Sequence, residues 1–383
     1  MVIFSLCTAR PAIATLQPMS ASSSSNAPKS SRPSSVRPDR SQRPSGRMPE
    51  RLPSFDVVVI GGGEGGMAVL NALKQETPLL KTALIDPNPY HYDQPDWIKV
   101  ATEGASKEET RSHKMFQLPP GTVWMRDAVT KIDPDEALIE TQSSGEIGYT
   151  HLVIATGIET RWDRIRNLGD SLGVNGICSV YGYEQAEEAW DMMRSFTGGR
   201  AIFSAPSSPY KGGSAPLSIL HRAEDLWRER GVREGTDIIF ATAVTEGYAG
   251  DEYAELVARD DREDDIHVYF GYELLEVRPD RYEAVFNVQK GPSLSQDVLS
   301  YDLIHVVPPM RPPTVIETSP LAYQVGPTRG FLEVNPDTLQ HRRYPNVFGV
   351  GDVIGVEAEK TGERARKQAE AVVHRIAQTA ATS

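Results

Sequence analysis

Between Phe55 and Asp86 the chain reads strand, glycine turn, helix, strand and acid, and few folds accept that order. Phe55-Asp56-Val57-Val58-Val59-Ile60 is apolar and β-branched, the pattern of a strand buried on both faces. Gly61-Gly62-Gly63-Glu64-Gly65-Gly66 follows at once, with glycine at all three positions of GxGxxG, and Met67 to Lys74 reads as helix. Each glycine has a task. Gly61 permits the tight turn, Gly63 lets a pyrophosphate approach the backbone, and Gly66 lets the helix pack on its strand. The helix start then holds an anion through its free N–H groups and its dipole. A second strand, Thr82 to Ile85, ends in Asp86, an acid 20 residues after Gly66 that suits ribose hydroxyls. Together these predict a dinucleotide site.

Two later stretches decide which dinucleotide. His151-Leu152-Val153-Ile154-Ala155-Thr156-Gly157 is a strand ending in Ala-Thr-Gly, and Asn346-Val347-Phe348-Gly349-Val350-Gly351-Asp352 is a strand ending in Gly-Asp. Both resemble the later motifs of flavoproteins with two dinucleotide domains, in which the acid takes the flavin side chain. The predicted cofactor is FAD. A second glycine turn for NAD(P)H belongs after the strand Arg200 to Phe203. Instead Ser204 to Pro216 interposes prolines, which have no N–H to give a phosphate, so nicotinamide binding is not expected.

Composition narrows the class. Forty basic against 52 acidic side chains give a net charge of −12, which repels phosphate backbones and argues against nucleic acid as a partner. Only Cys7 and Cys178 are present, too few for a four-cysteine metal site. No run of 18 apolar residues occurs, so no transmembrane helix is expected. The eight histidines form no HExxH, and no GxSxG elbow exists. The run Asp260 to Asp265 reads as a solvated loop, and Cys178, in an apolar strand-like setting, as a buried inert thiol.

The first fifty residues differ from the rest. Met1 to Glu50 holds seven basic residues, twelve serines, seven prolines and two acids. So little apolar side chain does not offset an ordering cost of about 1–2 kcal/mol per residue. Arg-rich, Ser-rich, acid-poor leaders with a short apolar face, here Val2 to Leu16, look like mitochondrial transit peptides.

Several longer segments resemble one family. Pro206-Ser-Ser-Pro209-Tyr-Lys211-Gly212-Gly213, Tyr90-His-Tyr-Asp-Gln94-Pro95-Asp-Trp97, Tyr301 to Pro313 and Thr338 to Gly349 all look like the mitochondrial type of sulfide:quinone oxidoreductase. The likeness runs from about Phe55 to about Lys360. It implies an α/β fold of two Rossmann-like FAD/NAD(P)-binding domains, the FAD domain discontinuous. Residues 1–53 would be a leader, 54–165 the opening segment of the FAD domain, 166–302 the inserted domain and 303–383 the closing segment of the FAD domain. By motif match, Glu64, Gly65, Asp86, Gln94, Val129 and Lys360 would contact FAD, with Val129 acting through its backbone near the adenine. Asp86 stands where a glutamate is more usual.

The resemblance also implies an activity, electrons passing from sulfide or a thiol through FAD to a quinone, in mitochondria. Two redox cysteines carry that chemistry in the family. Neither is recognisable here, because Gly212 stands beside Lys211 at the first position, and the family's C-terminal extension has no counterpart before Ser383. The expected activity is therefore a sulfide:quinone reductase with altered persulfide chemistry. The alternative is an FAD-binding protein without turnover.

Overall fold

The computed structural model describes residues 52–245, 256, 266–356 and 359–380. The leader and the Asp260–Asp265 run lie outside the described residues. Arg51–Ser383 forms one compact unit containing two main sheets.

The first sheet grows from β1 (Ser54–Ile60), followed by α1 (Glu64–Glu76) and β2 (Thr82–Ile85). β3 (Val123–Met125), β4 (Val129–Asp133), β5 (Leu138–Thr141) and β6 (Gly145–Ile154) complete its sequence-local portion. Spatial order is β3-β2-β1-β6-β5-β4, and Val347–Gly349, from the far end of the chain, pairs with β6. β1 lies parallel to both neighbours, which is why it reads as an unbroken apolar run: Val57, Val58 and Val59 are fully buried on alternating faces. Burying each such side chain is worth about 1.5–3 kcal/mol. α1 begins at Glu64, three residues before the helix expected from Met67. Gly65 and Gly66 thus belong to its first turn, not to the loop.

The second sheet is wholly parallel. Its order is Ile177–Cys178, Leu303–Val306, Gly199–Ala205, Thr236–Thr242 and Ile266–Phe270. Alternation along Gly199–Ala205 divides its two faces. Phe203 packs toward Met193 of the helix Tyr183–Ser195 and Trp227 of the helix Ala215–Glu229. Ile202 instead joins Phe286 and Val277 of an antiparallel meander built from Tyr272–Arg278, Glu283–Lys290 and Ser293–Ser300. Two Rossmann-like sheets of an α/β fold are thus present, as expected.

One expected boundary moves. The division at 302/303 assigns Leu303 onward to the first sheet, yet Ile304 pairs with Ile202 on one side and Ile177 on the other. Leu303–Val306 is a central strand of the second sheet. Its four residues are all buried, and no local pattern tells which sheet such a short apolar run joins.

Candidate functional site

Register brings the motifs to one edge. Ile60 is level with Ile85 and Ile154, Ile85 with Met125, and Ile154 with Gly349. The segments leaving those strands therefore emerge together: Gly61 after β1, Asp86 after β2, Ala155-Thr156-Gly157 after β6, and Val350-Gly351-Asp352 after Val347–Gly349. This is the carboxyl end of a parallel sheet, where such folds bind ligands.

The glycines are there for three different reasons. Gly61 has φ +95°, and a Cβ on it would lie 2.5 Å from the Ala155 carbonyl oxygen. A Cβ on Gly66 would lie 1.9 Å from the Gly61 carbonyl oxygen, so helix and turn touch backbone to backbone. Gly65 faces Val350, whose Cγ1 would be 2.9 Å from an added Cβ. Gly63 is unlike these: it is exposed, and a Cβ there would meet nothing within 4 Å. Packing within the protein does not demand a glycine at 63, and the space over it at the helix start is open.

Asp86 faces the turn. Its Oδ2 accepts from the Gly62 N–H at 2.5 Å and from the Lys114 ammonium at 2.8 Å, and its Oδ1 accepts from the Asn88 N–H at 2.7 Å. Lys114 is 3% exposed, and no sequence motif points to it. Its only signal is an unexplained lysine between His113 and Met115, 28 positions beyond the acid.

Glu64 pairs with His91 at 3.5 Å and with Arg366. Those two partners, His91 first, hold its carboxyl down at about 2 against the opposing effect of burial. Gly157 has φ +66° and closes the β6 motif. Gln94 is exposed on the 3-10 turn Gln94–Asp96, and Val129 opens β4 half-buried at a bulge opposite Thr141, each further from the edge along the chain.

Asp352 follows Gly351 in a 3-10 turn, and burial pushes its carboxyl above the ordinary range, opposed by Lys360 and then Lys211. Lys360 is 8% exposed, and burial pulls its ammonium down to about 8. Its Nζ donates to the carbonyls of Asp352 at 2.7 Å and Ile354 at 3.2 Å and lies 4.9 Å from the Phe331 ring centroid. Glu359 is exposed and Glu363 pairs with Lys367, so both are solvated, while Glu357 lies outside the described residues. Beside Asp352 a recess opens between Gly351, Lys360, Thr361, Arg364 and Gln368, at the start of the helix Gly362–Ala380.

The loop before Ala215–Glu229 reaches this recess. Gly212 donates its N–H to the Lys360 carbonyl at 2.9 Å, and Lys211 donates its own to the Met310 sulfur at 3.4 Å. Cys178 is elsewhere, fully buried in the second sheet opposite His305, with burial pushing its thiol up to about 12.

Comparison with known proteins supplies the family. Residues 55–192 match the pyridine nucleotide-disulphide oxidoreductase family. The mitochondrial sulfide:quinone oxidoreductase of Mus musculus is 34% identical over 307 residues, 80% of this chain and 67% of that one. That of Dictyostelium discoideum is 34% identical over 319 residues, 83% and 69%. The chain belongs to the sulfide:quinone oxidoreductase family. The sulfide:quinone oxidoreductase of Aquifex aeolicus shares the fold, with a TM-score of 0.71 over 86% of this chain and 78% of that one, at 22% identity. Membership makes the chain an FAD-dependent oxidoreductase, and its geometry fits that cofactor. The space over Gly63 is open, the Thr156 hydroxyl and the His91 Nδ1 are buried without a hydrogen-bond partner, and an acid stands at the end of β2.

Proposed function

We propose that this protein moves electrons from sulfide or another small sulfur donor to a quinone through FAD, by a route that does not use a cysteine at position 212. The observation that carries the second half is Gly212. In the motif match it occupies the first cysteine's place, and it is tied by its amide to Lys360 and so to the recess beside Asp352. A glycine offers no nucleophile, and Cys178 is walled off in the second sheet. Sulfur held covalently on the protein at position 212 is therefore outside the proposed route: the donor reacts from solution, two sulfides or two thiols joining through an S–S bond and releasing their protons as two electrons pass to FAD.

FAD, when bound, accepts two electrons from a donor and returns them to an acceptor. The chain's own residues do the rest. Backbone N–H groups at Gly63 and the start of α1 hold the pyrophosphate, and Asp86 holds the ribose. Thr156 and Asp352 hold the flavin side chain, and Lys360 places a positive charge among carbonyls beside Asp352, which favours negative charge gathering nearby. The test is anaerobic mixing of the purified holoprotein with sulfide or a dithiol, then with a quinone, following the flavin absorbance. Bleaching by one of the donors and recovery on adding quinone supports the reading. A flavin inert to all of them leaves FAD as a structural ligand, the second reading, which Gly212 favours.

We place the protein in mitochondria. The support is the Arg-rich, acid-poor composition of Met1 to Glu50 and the mitochondrial names of the relatives. Fusion of residues 1–53 to a fluorescent reporter tests this, and a cytosolic reporter contradicts it. Among the described residues no helix is long and apolar enough to cross a membrane.

A further inference from the structure

The Asp86 carboxylate is nearly full before any ribose arrives. A carboxylate has about four lone-pair sites, two on each oxygen. On Oδ2 both are taken, by the Gly62 N–H and by Lys114, and on Oδ1 the Asn88 N–H takes one. One acceptor site remains, whereas a ribose diol brings two hydroxyls. The second hydroxyl needs another partner at the same place, and Lys114 is already there.

Lys114 is held from both ends. Its backbone N–H donates to the Pro89 carbonyl at 2.9 Å. Its Cε lies 3.1 Å from where a Cβ on Gly62 would stand, so the stem runs along the middle of the glycine turn. At the tip, Nζ donates to Asp86 Oδ2 at 2.8 Å and to the Asn88 carbonyl at 3.0 Å. An ammonium has three N–H bonds, and these two acceptors use two of them. The third is the donor that the second hydroxyl lacks.

We propose that Lys114 is the other half of the adenosine-ribose subsite. Asp86 Oδ1 accepts from one ribose hydroxyl, and the third N–H of Lys114 donates to the oxygen of the other. This rests on the FAD reading above and adds a specificity residue to it. It also accounts for the short acid. An aspartate braced by a lysine presents an acceptor and a donor side by side, where a longer unbraced acid would present two acceptors. The ion pair is a single recognition unit, 4% and 12% exposed at its two side chains, so its geometry is set before the cofactor binds.

The test measures FAD and FMN binding to the apoprotein, for the wild type and for Lys114→Met and Lys114→Gln. Methionine keeps the stem and removes every donor. Glutamine keeps two N–H bonds, enough for Asp86 and Asn88 but with none left over, so it preserves the local structure if methionine does not. FMN lacks the adenosine and serves as the internal control. The expected result is at least a tenfold loss of FAD affinity in either variant with FMN affinity within twofold. In addition, of the 2′-deoxy and 3′-deoxy adenosine forms of FAD, one binds the wild type more weakly than FAD does but binds the variants equally well. Unchanged FAD affinity in a folded variant overturns the role of Lys114, as does a parallel loss of FAD and FMN, which a merely structural lysine would give. A wild type that binds no FAD at all overturns the flavin reading itself, and the two failures are distinguishable.

Discussion

Gly212 gives its amide hydrogen to the carbonyl oxygen of Lys360 across 2.9 Å, joining the loop that opens the helix Ala215–Glu229 to the turn that opens the helix Gly362–Ala380. The bond is made at φ +94°, a conformation that glycine adopts freely and other residues adopt at a cost. The loop backbone at position 212 is thus one that favours glycine.

Restoring the side chain alone should therefore fail. Cysteine at φ +94° carries a strain of about 1–3 kcal/mol, and its Cβ would lie 3.0 Å from the Ala215 Cβ. Gly212→Cys is expected to be destabilised by that order in denaturant unfolding and to show no faster sulfide-dependent flavin reduction than the wild type. Unchanged stability together with accelerated reduction would contradict this.

Gly63 and Gly66 separate binding from folding. Gly66→Ala drives a methyl into the Gly61 carbonyl, so it should lower the melting temperature sharply and abolish FAD binding with it. Gly63→Ala meets nothing in the protein, so its melting temperature without cofactor should match the wild type while FAD affinity falls at least tenfold. Equal FAD affinity in Gly63→Ala would mean that no pyrophosphate lies on that amide.

Cys178 should behave as core. With its thiol pushed up to about 12 by burial, roughly one in ten thousand molecules carries the thiolate at pH 8. In a Cys7→Ser background, a chromogenic disulfide reagent should leave the native protein unlabelled for hours and label one thiol once it is unfolded. Rapid native labelling would reopen Cys178 as a redox group.

Lys360 sets a pH signature. Burial lowers its folded value to about 8, below the unfolded 10.5, so between those values the unfolded chain holds a proton that the folded chain has released. Stability contributed by this group therefore rises with pH across that window, and below pH 8 the full cost of burying the charge is felt. The slope is bounded by about 1.4 kcal/mol per pH unit. Subtracting the Lys360→Met apoprotein profile from the wild-type profile should show that rise, and parallel profiles would contradict it.

Much of the site is legible in the sequence because its chemistry is local. The β1 turn, its three glycines and Asp86 sit within 26 residues, and the buried parallel strand announces itself by composition. The start of α1 is harder to place because glycine weakens any helical pattern, although here Gly66 is required by the contact with Gly61. Two features have no local trace. Leu303–Val306 joins the second sheet by pairing with Gly199–Ala205, about a hundred residues earlier. Lys114 reaches Asp86 only through the hairpin that Tyr90–Tyr92 and Arg111–His113 form, and no spacing rule marks it.

Whether FAD rests on the backbone at the start of α1 is decided by a fluorescence titration of the apoprotein with FAD. The expected result is saturable one-to-one binding, a visible flavin spectrum that survives gel filtration, and loss of both in Gly63→Ala at unchanged thermal stability. A folded wild type that stays colourless with excess FAD, or a Gly63→Ala protein that binds it equally well, would rule out a flavin seated on that helix start.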